Sequence, residues 1–321
     1  EVIPPTEKIP PGTYDVNVTV KNEGIHAENV TISLYYNSTL IGTQTITNQP
    51  SGTTELLTFT WDATSLPAAT YVLRAEANTV PGEIYLVDNS KEATVKIGPL
   101  AEIRVDPAIA QLHQINETFN LNITMNNLWE GWRTISVQFR LCYDDTLLEV
   151  VNVTQGEFML DPAWNLYGTF FTSFIEVDPV YGPNVLVGIL LNPNGTGQWN
   201  AFPSGDGTLA TITFKGIHQE RGLENPPLTC SLILNNTQII DDEIELVSHS
   251  MQHGVYEMYP SNIADINWDG IVDMRDIGLA AMAFGSEPGH PRWNPICDLN
   301  NDDKIDMKDI AMVARNFGWV A

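Results

Sequence analysis

Apolar and polar residues alternate in short runs along the chain up to about Met258, and turn-forming Gly, Pro, Asn and Asp residues separate the runs. A period of two is typical of strands with one buried face, and helical periodicity is scarce in this part. We therefore predict a mainly β structure with antiparallel sheets. After Met258 the pattern changes to Asp-rich loops and helical segments.

The runs fall into two sets, which predict two tandem β-sandwiches followed by a small helical unit. The spacing of the runs fits sandwiches of about a hundred residues or more. Gly98-Pro99 separates the two sets, and a short polar linker at 259–262 precedes the helical unit. The predicted domains are residues 1–98, 99–258 and 259–321. The first set includes runs at 31–36, 56–61, 70–75 and 93–97, and the second includes runs at 119–125, 135–143, 147–153, 185–191, 209–214 and 228–234.

The chain is strongly acidic, with 40 Asp and Glu residues against 15 Lys and Arg residues and a formal net charge of −25. This charge repels nucleic acids and anionic lipid headgroups and favours cations as partners. No apolar run is long enough to predict a membrane span, and no basic, apolar leader precedes Glu1. We expect a mature, secreted protein that lies outside the cell or on its surface.

The three cysteines, Cys142, Cys230 and Cys297, form no CxxC pair of the kind that holds zinc. Counting alternate positions in their strands places Cys142 on an outward face and Cys230 on a core face. A bridge between these two is therefore not expected. The sequence is compatible with three separate thiols and also with an intermolecular disulfide through Cys142.

The Asn-x-Ser/Thr acceptor pattern for N-glycosylation occurs eight times, always before residue 259. Several of these Asn residues alternate with apolar neighbours, which predicts that they point outward from a strand. We expect a glycoprotein, although Asn and Thr are also common on strand surfaces. The predicted sites are Asn17, Asn29, Asn37, Asn116, Asn122, Asn152, Asn194 and Asn235.

The last sixty residues contain an internal repeat with an offset of 33 residues. The segment 265–276 (DINWDGIVDMRD) corresponds to the segment 298–309 (DLNNDDKIDMKD). Each copy continues with Ile, six further residues and Phe-Gly, which predicts one helix per copy, ending at Phe284-Gly285 and at Phe317-Gly318.

Oxygen donors occupy positions 1, 3, 5, 7, 9 and 12 of each copy, the spacing of a twelve-residue calcium loop. Position 7 contributes a backbone carbonyl, so its side chain is free to vary. Gly270 fills position 6, where the chain turns sharply, and Asp303 takes that place in the second copy. A solvated acidic loop is the alternative, but two matched copies favour two bound Ca²⁺ ions. The predicted ligands are Asp265, Asn267, Asp269, Ile271, Asp273 and Asp276, and Asp298, Asn300, Asp302, Lys304, Asp306 and Asp309.

One helix per loop, Asp at position 12 and the Phe-Gly endings make these sixty residues similar to the dockerin family, in a type I-like form. In dockerins the two loop-helix units pack with pseudo-twofold symmetry, fold on binding calcium and grip a cohesin domain. The resemblance implies a partner-binding surface, unless the Met side chains pack between the two units. The matching positions are Met274, Arg275, Ala281, Met282, Met307, Lys308, Ala314 and Arg315.

The second β set resembles a cohesin, a jelly-roll sandwich. The resemblance rests on FRLCYD at 139–144, LLEV at 147–150, GEF at 156–158 and SGDGTLATITF at 204–214. Sugar-binding sandwiches share this architecture, and Trp129 and Trp132 form a candidate sugar platform. Packing in the core is the more common role of Trp at the start of a strand.

The first β set resembles the CARDB family of Ig-like cell-surface domains, through VNVTVKNEG at 16–24 and VDNS at 87–90. That family usually opens with one further strand, of which little precedes Pro4-Pro5 here. The resemblance implies an open sheet edge that a neighbour's strand could complete.

The sequence gives no case for an enzyme. The six His residues are scattered, and neither a Gly-x-Ser-x-Gly elbow nor a phosphate loop occurs. Carboxylate pairs for glycoside hydrolysis stay open in so acidic a sequence, but sandwiches of this size more often bind than cut.

A chain that resembles a cohesin and a dockerin carries both halves of one binding pair. A head-to-tail contact that does not close generates a filament. We therefore predict an extracellular structural protein whose dockerin-like unit binds the cohesin domain of another copy, with calcium at the joint. The alternatives are an adaptor of a cellulosome-like complex, bound to the cohesin of a scaffold protein, and a carbohydrate-binding surface adhesin.

Overall fold

The computed structural model describes residues 1–4, 6–112, 116–217, 228–258 and 262–320. Strands account for most of the regular structure up to Met258, and both α-helices of the described residues come later. The strands are β1 (Val2–Ile3), β2 (Lys8–Ile9), β3 (Thr13–Lys21), β4 (Glu28–Tyr36), β5 (Thr39–Gln49), β6 (Thr54–Asp62), β7 (Ala69–Ala77), β8 (Ser90–Ile97), β9 (Ala101–Asp106), β10 (Ile109–Leu112), β11 (Thr118–Leu128), β12 (Thr134–Cys142), β13 (Leu148–Gln155), β14 (Thr169–Asp178), β15 (Gly182–Leu191), β16 (Gly205–Gly216), β17 (Leu228–Asp241), β18 (His249–Gln252) and β19 (Gly254–Met258). The helices are α1 (Met274–Ala283) and α2 (Met307–Arg315).

The first sandwich packs the sheet β1-β3-β6 against the sheet β2-β8-β7-β4-β5. Alternation in β3 buries Val16 and Val18 and turns Asn17 outward. Trp61 and Leu73 are fully buried between the two sheets. The prediction of an Ig-like sandwich is confirmed.

The second sandwich packs the sheet β13-β16-β11-β9-β18 against the sheet β10-β19-β17-β12-β15-β14. Val137, Phe139 and Leu141 of β12 point into the shared core, as their alternation predicts. The sequence did not predict β14, which forms one edge of the six-stranded sheet. This strand positions part of the candidate site described below.

The C-terminal helices pack around a third, smaller core that includes Val272, Ala280 and Val313. The two repeat copies exchange backbone hydrogen bonds: the Gly285 N–H donates to the Ile305 carbonyl, and the Gly318 N–H donates to the Val272 carbonyl, both at 2.8 Å. The segment after each helix is thus hydrogen-bonded to the calcium-loop segment of the other copy.

The two helices end where the Phe-Gly pairs predict. The helices stop at Ala283 and Arg315. Gly285 and Gly318 follow with left-handed backbone geometry, at φ angles of 74° and 83°, as is typical of a glycine just beyond a helix. Within the described residues, no helix combines the length and the hydropathy needed to cross a bilayer.

Contacts also join the three units. Lys8 of the first sandwich forms a buried ion pair with Asp241 of the second. Trp268, in the first repeat copy, belongs to the buried cluster of the second sandwich. Most of the linker predicted at 259–262 lies outside the described residues, and the domain limits at 98 and 258 stay predictions.

Candidate calcium loops and docking faces

The first residue of each repeat copy holds the start of its loop in the same way. Asp265 accepts hydrogen bonds from the backbone N–H groups of Asp269 (3.1 Å) and Gly270 (2.8 Å). Asp298 accepts the equivalent bonds from Asp302 (3.1 Å) and Asp303 (2.9 Å). Two copies that differ in sequence therefore fold into one hydrogen-bond frame.

The carboxylate at position 12 connects each loop to its helix. Asp276 accepts bonds from the N–H groups of Ile266 and Asp273, both at 2.8 Å, and Asp309 does the same for Leu299 (2.9 Å) and Asp306 (2.8 Å). The second bond of each pair completes a capping box at the start of α1 or α2. In both copies an Asp side chain is long enough to accept one hydrogen bond from the start of the loop and one from the N-cap residue of the helix.

Position 6 adopts left-handed backbone geometry in both copies, as the sequence predicts. The φ angle is 83° at Gly270 and 61° at Asp303. Glycine takes this geometry without a steric penalty, whereas Asp bears part of that penalty.

Uncompensated negative charge collects inside the loops. Asp265 is only 1% exposed, and burial, together with the charges of Asp276 and Asp269, raises its pKa to about 6. The ion pairs of the described residues reach the loops at Asp269, which Arg275 contacts at 2.9 Å, and at Asp302 and Asp306, which Lys308 contacts at 2.9 and 3.9 Å. Such pairs lie at the loop surface and leave the buried carboxylates without a cation.

The chemistry of the donor set fits calcium. The predicted ligands are carboxylate, amide and backbone carbonyl oxygens, which hard divalent cations prefer. In the described part of the chain, however, no group of three or more His, Cys, Asp or Glu side chains is arranged as a metal site. The oxygens at positions 1 and 12 instead accept loop N–H bonds. The calcium assignment rests on donor chemistry and loop duplication.

All eight predicted interface residues lie on the surface. Met274, Met282 and Met307 are 66, 72 and 63% exposed, so they do not pack between the two units. The basic side chains of Arg275 and Lys308 stand beside them. The C-terminal unit therefore presents an apolar and basic surface from both helices.

The outer face of the six-stranded sheet carries a second apolar surface, which no alternating pattern in the sequence indicates. Phe170 and Phe174 of β14 are exposed and pair across the sheet with Leu190 and Leu186 of β15. These positions alternate with the buried residues of β15, so they lie on the face away from the core. We call the outer face of β12, β14 and β15 the outer patch.

A buried arginine forms part of the outer patch, because its cross-strand neighbour Leu186 lies on the same face. Arg140 of β12 lies opposite Leu186 and donates to Glu176 (2.6 Å) and Asn184 (2.8 Å). Its guanidinium also stacks on the Tyr181 ring, 4.8 Å from the centroid. A charge-assisted network of this kind fixes the side chains that surround the patch.

The other predicted surface features have mixed outcomes. Trp132 is buried and donates its indole N–H to the Pro99 carbonyl (3.1 Å), so it packs in the core and does not form a sugar platform. None of the three cysteines, all within the described residues, takes part in a disulfide; Cys142 is half-buried and Cys230 is buried. None of the eight glycosylation-motif Asn residues is buried, and their occupancy stays a prediction.

Comparison with known proteins bears on the two sandwiches. Residues 110–221 match the family model of the Cohesin domain. Residues 1–93 match the CARDB model. Cohesin and CARDB domains are non-catalytic interaction domains, typical of the cell surface or the extracellular space. The cohesin-like sandwich thus supports a role in protein–protein interaction.

Solved structures show the same likeness at low identity. A non-cellulosomal cohesin from Archaeoglobus fulgidus is 18% identical, with a TM-score of 0.36, over 50% of this chain and 91% of that one. The Coh-OlpC-Doc435 complex from Clostridium thermocellum is 16% identical, with a TM-score of 0.39, over 50% of this chain and 94% of that one. CaCohA2 from Clostridium acetobutylicum is 12% identical, with a TM-score of 0.38, over 51% of this chain and 94% of that one. A comparison with curated protein sequences gave no match.

Proposed function

We propose that this chain is a secreted structural subunit that assembles head to tail through calcium-dependent contacts. In these contacts the C-terminal, dockerin-like unit of one copy binds the cohesin-like sandwich of the next. The observation that carries the proposal is the presence, in one chain, of a Cohesin-domain match and a duplicated oxygen-donor loop whose first and twelfth residues accept equivalent hydrogen bonds in both copies.

Calcium would connect the start of each loop to its helix. The first ion would be held by Asp265, Asn267, Asp269, Asp273, Asp276 and the Ile271 carbonyl, and the second by the equivalent residues of 298–309. A bound cation supplies charge neutralisation for the buried carboxylates, and its binding energy adds to folding of the small C-terminal core. The docking surface would then exist only with calcium.

The two apolar surfaces are complementary in chemistry. Met274 and Met307 offer flexible apolar contacts, and the outer patch offers the aromatic rings of Phe170 and Phe174. Arg275 and Lys308 lie at the rim of the helix surface, in a chain with a net charge of −25. Both surfaces are exposed within a single copy, so neither is occupied by the other, and a second copy can bind.

Light scattering on the purified chain tests this function directly. With calcium we expect large assemblies that fall to small species on chelation. The Asp265→Ala, Asp298→Ala double variant should form none of these assemblies in calcium. If the wild-type chain has one small mass in both conditions, self-assembly is wrong. The adaptor function would then be favoured, with binding to cohesins or dockerins of other proteins as its test.

A further inference from the structure

The start of the first repeat loop lies between two separate hydrophobic cores. Ile266 belongs to the core of the C-terminal unit, whereas Trp268, two residues later, belongs to the core of the second sandwich. The two side chains are 5 and 3% exposed. Asn267, the predicted ligand at position 3, is therefore held between a residue of one core and a residue of the other.

The second repeat loop differs from the first at one of these two attachments. Leu299, which corresponds to Ile266, also packs in the core of the C-terminal unit. Asn301, which corresponds to Trp268, is exposed. Position 4 thus attaches the first loop to the second sandwich and makes no such attachment in the second loop. Each chain contains its own matched comparison.

The backbone geometry of the first loop depends on the burial of Trp268. Its φ angle is 58°, a left-handed geometry that a bulky residue rarely adopts and that Asn301, at 55°, accepts more readily. After this turn the Asp269 N–H points back and donates to Asp265 and Asn267, at 3.1 Å in both cases. Burial of the indole offsets the cost of the geometry. Undocking of the indole should therefore relax the turn that brings the predicted ligands together.

We propose that calcium binding in the first loop is coupled to docking of the C-terminal unit on the second sandwich of the same chain, with Trp268 as the positioning residue. This inference rests on the calcium sites of the proposed function. Coupling between two binding events is reciprocal, so each strengthens the other by the same factor. The second loop binds its ion without this coupling, because Asn301 is exposed.

The coupling gives the proposed assembly a defined direction. The outer patch lies on the second sandwich, and the helix surface lies on α1 and α2 of the C-terminal unit. When Trp268 is docked, the angle between these two surfaces is fixed within each copy. A regular head-to-tail filament needs the same geometry at every joint. Calcium therefore controls the orientation of the helix surface as well as its folding.

Calorimetric titration of calcium into the full chain tests the coupling separately from assembly. All chains carry Phe174→Asp, which removes the proposed head-to-tail contact, and either Asp298→Ala, which leaves the first loop, or Asp265→Ala, which leaves the second. Trp268→Asn gives the first loop the position 4 residue of the second loop. We expect this change to weaken calcium binding to the first loop about tenfold, within the usual range of coupling between sites, and to leave the second loop unchanged.

Two further variants separate positioning from a general loss of stability. Trp268→Phe keeps an aromatic side chain for the sandwich core, and its calcium affinity should lie between those of the parent chain and Trp268→Asn. Val313→Ala, in the core that both copies share, should weaken both loops. An equal effect of Trp268→Asn on both loops, or no effect on the first, overturns the coupling and leaves the assembly to its own test. A parent chain that binds no calcium overturns both proposals.

Small-angle X-ray scattering gives the reciprocal readout, in the Phe174→Asp chain with both loops saturated by calcium. With Trp268 present we expect the narrow distance distribution of a docked C-terminal unit. Trp268→Asn should give the broader and longer distribution of a tethered unit, although both ions are bound. Identical distributions for the two calcium-loaded chains would show that Trp268 does not set the orientation.

Discussion

The two copies of the C-terminal repeat share one backbone frame but differ in what they attach to. At position 4 the first copy has Trp268, which is buried in the core cluster of the second sandwich, and the second copy has Asn301, which is exposed. Both residues have left-handed backbone geometry, with φ angles of 58° and 55°. The frame is therefore set by the loop hydrogen bonds, and the position 4 side chain decides whether a copy is anchored.

The copies also differ in how deeply they bury charge. Burial raises the pKa of Asp265 in the first copy to about 6, and Asp265 is 1% exposed, whereas Asp298 in the second copy is 7% exposed. At position 6, Gly270 suits the turn better than Asp303. The first copy thus has the more regular loop and the tighter attachment, and the second copy presents its loop to solvent.

Replacement at position 4 should have the largest effect. Trp268→Ala removes a large buried side chain, and we expect a loss of about 3–5 kcal/mol in the free energy of unfolding. Asn301→Ala removes an exposed side chain, and the left-handed backbone at a φ of 55°, which Ala tolerates less well than Asn, limits the expected loss to about 1 kcal/mol. Chemical denaturation of the two variants measures the difference. Equal losses would show that Trp268 is not an anchor.

Removal of the first ligand separates the two proposed ions. We expect Asp265→Ala and Asp298→Ala each to lower the calcium stoichiometry from two to one, since each loop supplies its own ligands. Isothermal titration calorimetry measures this number. Asn301→Ala is the control and should keep both ions. Two ions in either single variant would contradict the ligand assignment.

Replacement at position 6 should have the smallest effect, with opposite signs in the two copies. Gly270→Ala places a Cβ at a φ of 83° and should cost about 1 kcal/mol of unfolding free energy. Asp303→Gly relieves the strain at 61° and should stabilise the unit by up to about 1 kcal/mol. Thermal unfolding in calcium checks both variants. Changes of the same sign would mean that backbone geometry does not decide this position.

The sequence was most informative where alternation and repetition act locally. The pattern of β12 predicted that Val137 and Phe139 face the core, and the aligned loops predicted the left-handed turn at Asp303. These features depend on residues close together in the chain. The same is true of the capping boxes that begin both helices.

Features that depend on distant contacts were missed. β14 (Thr169–Asp178) carries apolar residues on both faces, as at Phe170 and Phe171, so no period of two indicates the strand. The strand forms because it pairs with β15 at the edge of the six-stranded sheet. The burial of Trp268 depends on the second sandwich, and no local pattern encodes it.

The proposed head-to-tail contact joins the C-terminal helix surface of one copy to the outer patch of another. Its most direct test mixes two variants of the full chain in calcium. One carries Phe174→Asp in the outer patch, and the other carries Met274→Asp and Met307→Asp on the helices.

Each variant alone keeps only one half of the contact, so it should be monomeric, and the mixture should form a one-to-one complex by mass. That result would establish a head-to-tail contact between these two surfaces. A mixture that stays monomeric, or a single variant that still assembles, would contradict it.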